Sequence, residues 1–146
     1  MLDSNNLRNI FINGSNNEKL DILEYLKDHF DSFNKNIEYF DEYKNVLLDF
    51  SITESDKEVK IEIFEALSKA AVFQDVSNIN FDKLIENLEN TPEECLSRSI
   101  DILSFTHEEN YVPIIKRYLN HRNPYVRESA VFAVKEILEY VEKNSR

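Results

Sequence analysis

The 146-residue chain is poor in the residues that build turns, covalent staples and cationic surfaces. It has one Gly, one Cys, three Pro and no Trp. A single Gly leaves no room for a glycine-rich phosphate loop, which needs several backbone positions free of a Cβ. It also argues against a β-rich fold, whose tight turns and bulges lean on glycine. A lone Cys can form neither an internal disulfide nor a Cys-rich zinc site; this excludes a disulfide scaffold and fits a cytoplasmic setting. Basic residues are scarce as well, 17 against 28 acidic ones, for a formal net charge of −11. Nucleic-acid and anionic-membrane surfaces need positive charge to displace counterions, so neither partner fits this balance. No run approaches the ~18 apolar residues of a membrane span. Residues 1–12, with Asp3 and Arg8, do not read as a signal peptide.

What the chain does have is apolar side chains at helical spacing. Hydrophobic residues make up 42%, with ten Phe and seven Tyr, too many for a disordered segment. The length suits one domain over 1–146 with a sizeable core. Ile22, Leu26 and Phe30, with Leu23 beside them, mark one stripe. Val59, Ile63, Ala66, Leu67 and Ala70 mark a second, and Cys95, Ser99, Ile102 and Leu103 a third. Val126, Ala130, Ala133, Val134, Ile137, Leu138 and Val141 form the last and clearest one. Each is the core face of an amphipathic helix. Helix-start chemistry separates them: Ser15 with Glu18, the Thr53–Asp56 segment, Asn80 with Asp82, Thr91-Pro92 and Asn123-Pro124. All three prolines fall at such starts.

The spacing predicts eight helices in four pairs. They cover 4–12 and 17–33, 37–51 and 55–73, 79–89 and 92–105, and 110–120 and 123–143, with 74–78 as the one longer loop. The first stripe residues of the second helices, Ile22, Val59, Cys95 and Val126, stand 37, 36 and 31 residues apart. That is the range of helical-hairpin repeats, in which neighbours supply the core that no hairpin has alone.

Tyr111-Val112-Pro113-Ile114-Ile115-Lys116-Arg117-Tyr118-Leu119, followed by Asn123-Pro124-Tyr125-Val126-Arg127 and small residues at Ala130 and Ala133, resembles a HEAT repeat. Asp56 to Val59, followed by Ile63 and Ala66-Leu67, is a weaker copy with Lys60 in place of the Arg. The acid often found in the turn before the Val-Arg pair is absent, and Asn120 and Asn123 stand nearby. The resemblance implies an all-α fold, a right-handed α-solenoid of about four HEAT/armadillo-like hairpins in a single domain. It also implies a protein-binding scaffold whose second helices line a concave binding face. Some HEAT-like proteins are bacterial toxin-immunity proteins.

Catalytic signatures are poor. His29, His107 and His121 form no metal-ligating pair, and Cys95 lies on a core stripe. We expect no catalytic residues, no cofactor and no metal, and read His107 as a solvent-exposed residue at a helix start.

Charge rows are more informative. Glu58, Glu62, Glu65 and Lys69 follow one another at i, i+4, i+7 and i+11 beside the Val59 stripe. Asp21, Glu24 and Asp28 form a similar row with Tyr25 among them. Glu94 and Asp101, interrupted by Arg98, and Phe132, off the core stripe among Glu128, Glu136 and Glu139, extend the set. Like charges at this spacing cost a few tenths of a kcal/mol per pair, so the rows point to a use. The candidate partner-binding residues are therefore Asp21, Glu24, Tyr25, Asp28, Glu58, Glu62, Glu65, Glu94, Asp101 and Phe132.

The expected function is non-catalytic: an acidic concave face that occludes a basic protein partner in a 1:1 complex with a monomer. Its most concrete form is an immunity protein neutralising a cognate toxin, such as a nuclease, whose own basic surface the face would engage. The alternatives are a HEAT-repeat adaptor or assembly factor, and a lyase-type or DNA-repair HEAT-like enzyme, the last opposed by the net charge. The acids concentrate in residues 1–73, which hold 15 against 8 basic residues; the remainder holds 13 against 9. A basic island with Lys116, Arg117, His121, Arg122 and Arg127 runs the other way over 111–127.

Overall fold

Local chemistry sets the helix ends. In the computed structural model, which describes residues 2–32, 37–76 and 79–145, α1 (Ser4–Asn13) starts on Asp3, whose carboxylate accepts the Asn6 N–H at 2.8 Å. It stops at Gly14, the chain's one glycine. A Cβ there would stand 2.5 Å from the Ile10 carbonyl oxygen, so the position requires its absence. α2 (Asn16–Phe30) opens on a capping box, with Ser15 Oγ accepting from Glu18 N and Glu18 Oε1 accepting from Ser15 N. The predicted end at Phe33 lies outside the described residues. α3 (Phe40–Thr53) starts three residues later than predicted, because Tyr39 takes a left-handed conformation (φ 62°) that no helix continues through. α4 (Lys57–Phe73) follows after three residues.

The predicted helix over 79–89 is short in the structure: α5 (Asp82–Glu86) and a 3₁₀ turn at Leu88–Asn90. Ser77 and Asn78 of the predicted loop lie outside the described residues. α6 (Glu93–Ser104) starts after Pro92. Thr91 does not cap it; its hydroxyl donates to the Asn87 carbonyl at 2.7 Å instead. The predicted helix over 110–120 is broken into a 3₁₀ turn at Glu109–Tyr111, α7 (Val112–Ile115) and a second 3₁₀ turn at Lys116–Tyr118. A β-branched run around Pro113 supplies little helix propensity to hold it together. α8 (Pro124–Asn144) is the longest helix, with Asn123 Oδ1 accepting from Tyr125 N at its start.

All regular structure among the described residues is helical. The chain divides into two compact units, Met1–Asp75 and Val76–Arg146. In the first, α2 packs chiefly on α4 and α1 on α3. The contacts run in parallel order. Arg8 pairs with Asp49 at 2.9 Å and Phe11 stacks on Phe50. Lys19 pairs with Glu54 and Lys27 with Glu62, both 35 residues apart. In the second unit α6 packs chiefly on α8. Tyr111 donates to Asp82, Arg122 to Glu93, and His107 meets Glu136, three contacts in three places all 29 residues apart. Alternate helices therefore lie side by side and parallel, with an offset of 29 residues at all three contacts of the second unit and a less regular one in the first, 35 at Lys27–Glu62 and 38 at Asp31–Lys69.

Most of the stripes read from sequence are core. Val59, Ile63, Ala66, Leu67 and Ala70 of α4 are buried, as are Cys95, Ser99, Ile102 and Leu103 of α6 and Val126, Ala130, Ala133 and Ile137 of α8. The other three residues of the predicted α8 stripe are not core: Leu138 is 40% exposed and Val134 and Val141 are half-buried, because they lie on a flank of the helix that no other described element covers. In α2 the fully buried residues are Leu23, Leu26 and Phe30, while Ile22 lies at the edge. The Ser99 hydroxyl is buried without a hydrogen-bond partner.

Two substitutions test this packing by thermal melts. Gly14→Ala should lower Tm, at a cost of about 1–2 kcal/mol, since only backbone movement at Ile10 makes room. Ser99→Ala should raise stability by about 1 kcal/mol, because it removes an unsatisfied buried hydroxyl and improves helix propensity. A neutral result at Gly14 or a loss at Ser99 would contradict the packing described.

Candidate functional site

The acid rows of α2 and α4 meet at Lys27. Its ammonium group lies 2.5 Å from Glu62, 3.3 Å from Glu24 and 3.6 Å from Glu65. The Glu62 hydrogen bond, ahead of an opposing burial effect, raises the Lys27 pKa above its ordinary value and keeps the cation charged. A second cross-pair, Lys69 with Asp31 at 3.1 Å, lies further along the same two helices. Lys27 is what the acid count overlooked: as the cation between the two rows, it shows that they share one face. Around this cluster Asp21, Asp28 and Glu58 are exposed. The face thus carries six of the predicted acids with Lys27 and Lys69 interspersed, and stays net negative. Tyr25 is 51% exposed but sits on the other flank of α2, stacked on His29 at 5.7 Å.

The predicted residues of the second unit gather along α6 and α8. Phe132 is 46% exposed, with its ring against Phe105 at 6.3 Å. Asp101 is not a freely presented anion. Burial between α6 and α8 pushes its carboxyl pKa up, against a hydrogen bond from Ser129 and the nearby Arg98 charge. Glu94 is exposed two turns earlier on α6. His107 departs from the sequence reading of a solvated residue. It adopts a left-handed φ of 56°, stacks on Tyr140 at 3.9 Å and places Nε2 3.2 Å from Glu136.

The basic island is largely committed within its own unit. Arg127 Nη1 donates to the carbonyls of His121 and Arg122, closing the turn before α8. Arg122 pairs with Glu93 at 3.1 Å, chiefly through a hydrogen bond that holds the Glu93 carboxyl below the ordinary range. Arg117 pairs with Glu89 at 3.8 Å. These Arg–Glu pairs straddle an open cleft of about 460 Å³ floored by Leu88, Leu96 and Tyr118. Acid and base alternate around its rim, which is not the arrangement of a phosphate site.

One buried cation escaped the sequence pattern. Lys44 of α3 is fully buried, with its amine 3.6 Å from the Phe40 ring centroid, 3.4 Å from Asp41 and donating to the Asp75 carbonyl. Nearby, Gln74 Nε2 donates to the Phe30 carbonyl at 2.8 Å. Together they anchor the exit from α4 to α2 and α3. Its burial keeps Lys44 from any ligand, so its part is structural. Among the described residues no three His, Cys, Asp or Glu side chains gather as metal ligands, and no helix is long and apolar enough to cross a membrane.

Burial pushes the Lys44 pKa down to about 8. The folded state then binds fewer protons than the unfolded one between about pH 8 and 10, so this group's contribution to stability rises with pH across that window. Lys44→Met removes the titration. Urea melts should show the stability of wild type gaining on that of Lys44→Met by on the order of 2 kcal/mol from pH 8 to 10. A constant difference would mean that Lys44 is not held in this burial. Compared with known proteins, the chain matches no family model and no curated sequence.

Proposed function

We propose that the chain is a non-catalytic binding module whose acidic α2/α4 face docks a basic protein partner. The observation that carries the reading is the Lys27 cluster, which joins Glu24, Glu62 and Glu65 on one face. Such a face raises the local concentration of a cationic partner and speeds its encounter. Lys27 and Lys69 pre-order the carboxylates, so less side-chain entropy remains to be lost on binding.

The parallel packing of alternate helices supports a solenoid of HEAT-like hairpins. In such a stack, equivalent positions of neighbouring repeats touch, and the offset equals the repeat length. The offsets of 35 and 29 residues lie close to the intervals between the first stripe residues. On this architecture the concrete function is immunity, the occlusion of a toxin whose basic surface serves its own anionic substrate. Toxin and target would then compete for one cationic surface.

The test is binding to the product of the adjacent gene. Wild type should form a complex that weakens as salt rises from about 0.05 to 0.5 M, because these charges are screened over roughly 10 Å or less. The triple variant Glu58→Lys/Glu62→Lys/Glu65→Lys should lose affinity by at least about tenfold, chiefly through a slower on-rate. Unchanged affinity in the triple variant would remove this face from the interface.

A further inference from the structure

Three helices share one pattern, and only α8 leaves part of it uncovered. In α4 and α8 the core stripes correspond position for position: Val59, Ile63, Ala66 and Ala70 with Val126, Ala130, Ala133 and Ile137, all buried. Five and eight residues after Val59 come Phe64 and Leu67, with Ala71 a turn further on, and these flanking residues are buried too. In α6 the residues at five and eight after Cys95, Ile100 and Leu103, are likewise buried. The same positions of α8 are Val131, Val134 and Leu138. Val131 is 57% and Leu138 40% exposed, and Val134 and Val141 along the same flank are half-buried. Of the nine large hydrophobic side chains left exposed among the described residues, five lie on α8, and two of these, Val131 and Leu138, belong to this flank. Single exposed apolar residues need no explanation, whereas a continuous stripe on one helix marks an interaction site.

We infer that the flank of α8 formed by Val131, Val134, Leu138 and Val141 is a stacking face for a basic amphipathic helix of a partner protein. The shape of the occupant follows from the stripe: side chains at i, i+3, i+7 and i+10 receive a helix with apolar anchors at the same spacing. Its charge follows from the adjoining row of α8, where Glu128, Glu139 and Glu142 outnumber Lys135, while Arg127, in line with the stripe, has its guanidinium turned to the His121 and Arg122 carbonyls. A second copy is disfavoured, because it would bring the same acids of a chain with net charge −11 against each other. The inference rests on the binding-module reading and adds to it an apolar, helical contact in the second unit, separate from the α2/α4 acids.

A designed probe separates the two surfaces. Fluorescence anisotropy of a labelled 18-residue Leu/Lys amphipathic helix, titrated with the full chain, should show binding at least about tenfold tighter than for a scrambled peptide of the same composition. Val131→Asp/Leu138→Asp should abolish that advantage, with circular dichroism confirming the fold. Val131→Ile/Leu138→Met should retain it, as should Glu58→Lys/Glu62→Lys/Glu65→Lys. Equal binding of the scrambled peptide would reduce the effect to bulk charge and overturn the proposal. So would unchanged binding by the Asp variant, or equal binding of a Leu/Glu helix. A wild-type dimer in sedimentation that the Asp variant dissolves would assign the face to a second copy and overturn it as well. Failure of the α2/α4 reading would appear only in the salt-dependent partner complex and would leave these titrations as they are.

Discussion

Parallel packing of alternate helices is the constraint from which the rest of the structure follows. Helices two apart in sequence can lie side by side only if the chain between them returns to its starting end. The helices that return the chain must also find cover. It also fixes which side chains meet. Once α2 and α4 share a direction, Lys27 stands against Glu62, and Asp31, at the end of α2, against Lys69, without further adjustment. In the second unit, small side chains let the two helices approach closely. Ser99 and Cys95 of α6 and Ala130 and Ala133 of α8 are all buried where these helices carry their core stripes. The Ser99 hydroxyl is buried at this contact without a hydrogen-bond partner, which costs stability.

Much of this was legible in the sequence, because the informative residues act locally. Ser15 with Glu18, and Asn123 with Pro124, mark helix starts through bonds to backbone within three residues. The apolar stripes mark core faces because burial follows the helical period. The pattern failed where tertiary context decides. Tyr39 turns left-handed and delays α3, and the β-branched run after Tyr111 yields turns and a short helix instead of one continuous element. Thr91, a good cap by type, spends its hydroxyl on the preceding segment. Lys44 could not be found at all, since a lysine beside Asn45 reads as helix surface until the fold buries it against Phe40 and Asp75.

The candidate face was legible in outline only. Residue spacing places Glu58, Glu62 and Glu65 along one side of α4, but the sequence does not say that the α2 row lies against them. Nor does it say that Lys27 stands between the rows. The predicted set also mixed kinds of residue that the structure separates. Glu24, Glu62 and Glu65 converge on one cation, Tyr25 turns to the far flank with His29, and Asp101 is drawn in between α6 and α8. An acid count treats all of these as equal. Burial divides them, because a carboxyl whose pKa burial raises holds its charge less firmly and faces a partner less fully than an exposed one.

Net charge and local field are therefore different quantities in this molecule. In the first unit several cations are spent internally. Lys44 is buried, Lys19 and Glu54 form a nearly buried pair, and Arg8 is held by Asp49. Each such pair cancels a charge on each side and leaves the excess to whatever remains outside. What remains includes Asp21, Asp28 and Glu58, exposed around the Lys27 cluster. Because such pairs consume acid and base one for one, the acidic excess of residues 1–73 is carried by the unpaired remainder, part of it on the two helices whose parallel packing gathers it. In the second unit the cations are committed in the same way: Arg117 and Arg122 pair with Glu89 and Glu93, and Arg127 clamps backbone carbonyls. Its exposed large hydrophobic side chains lie along α8.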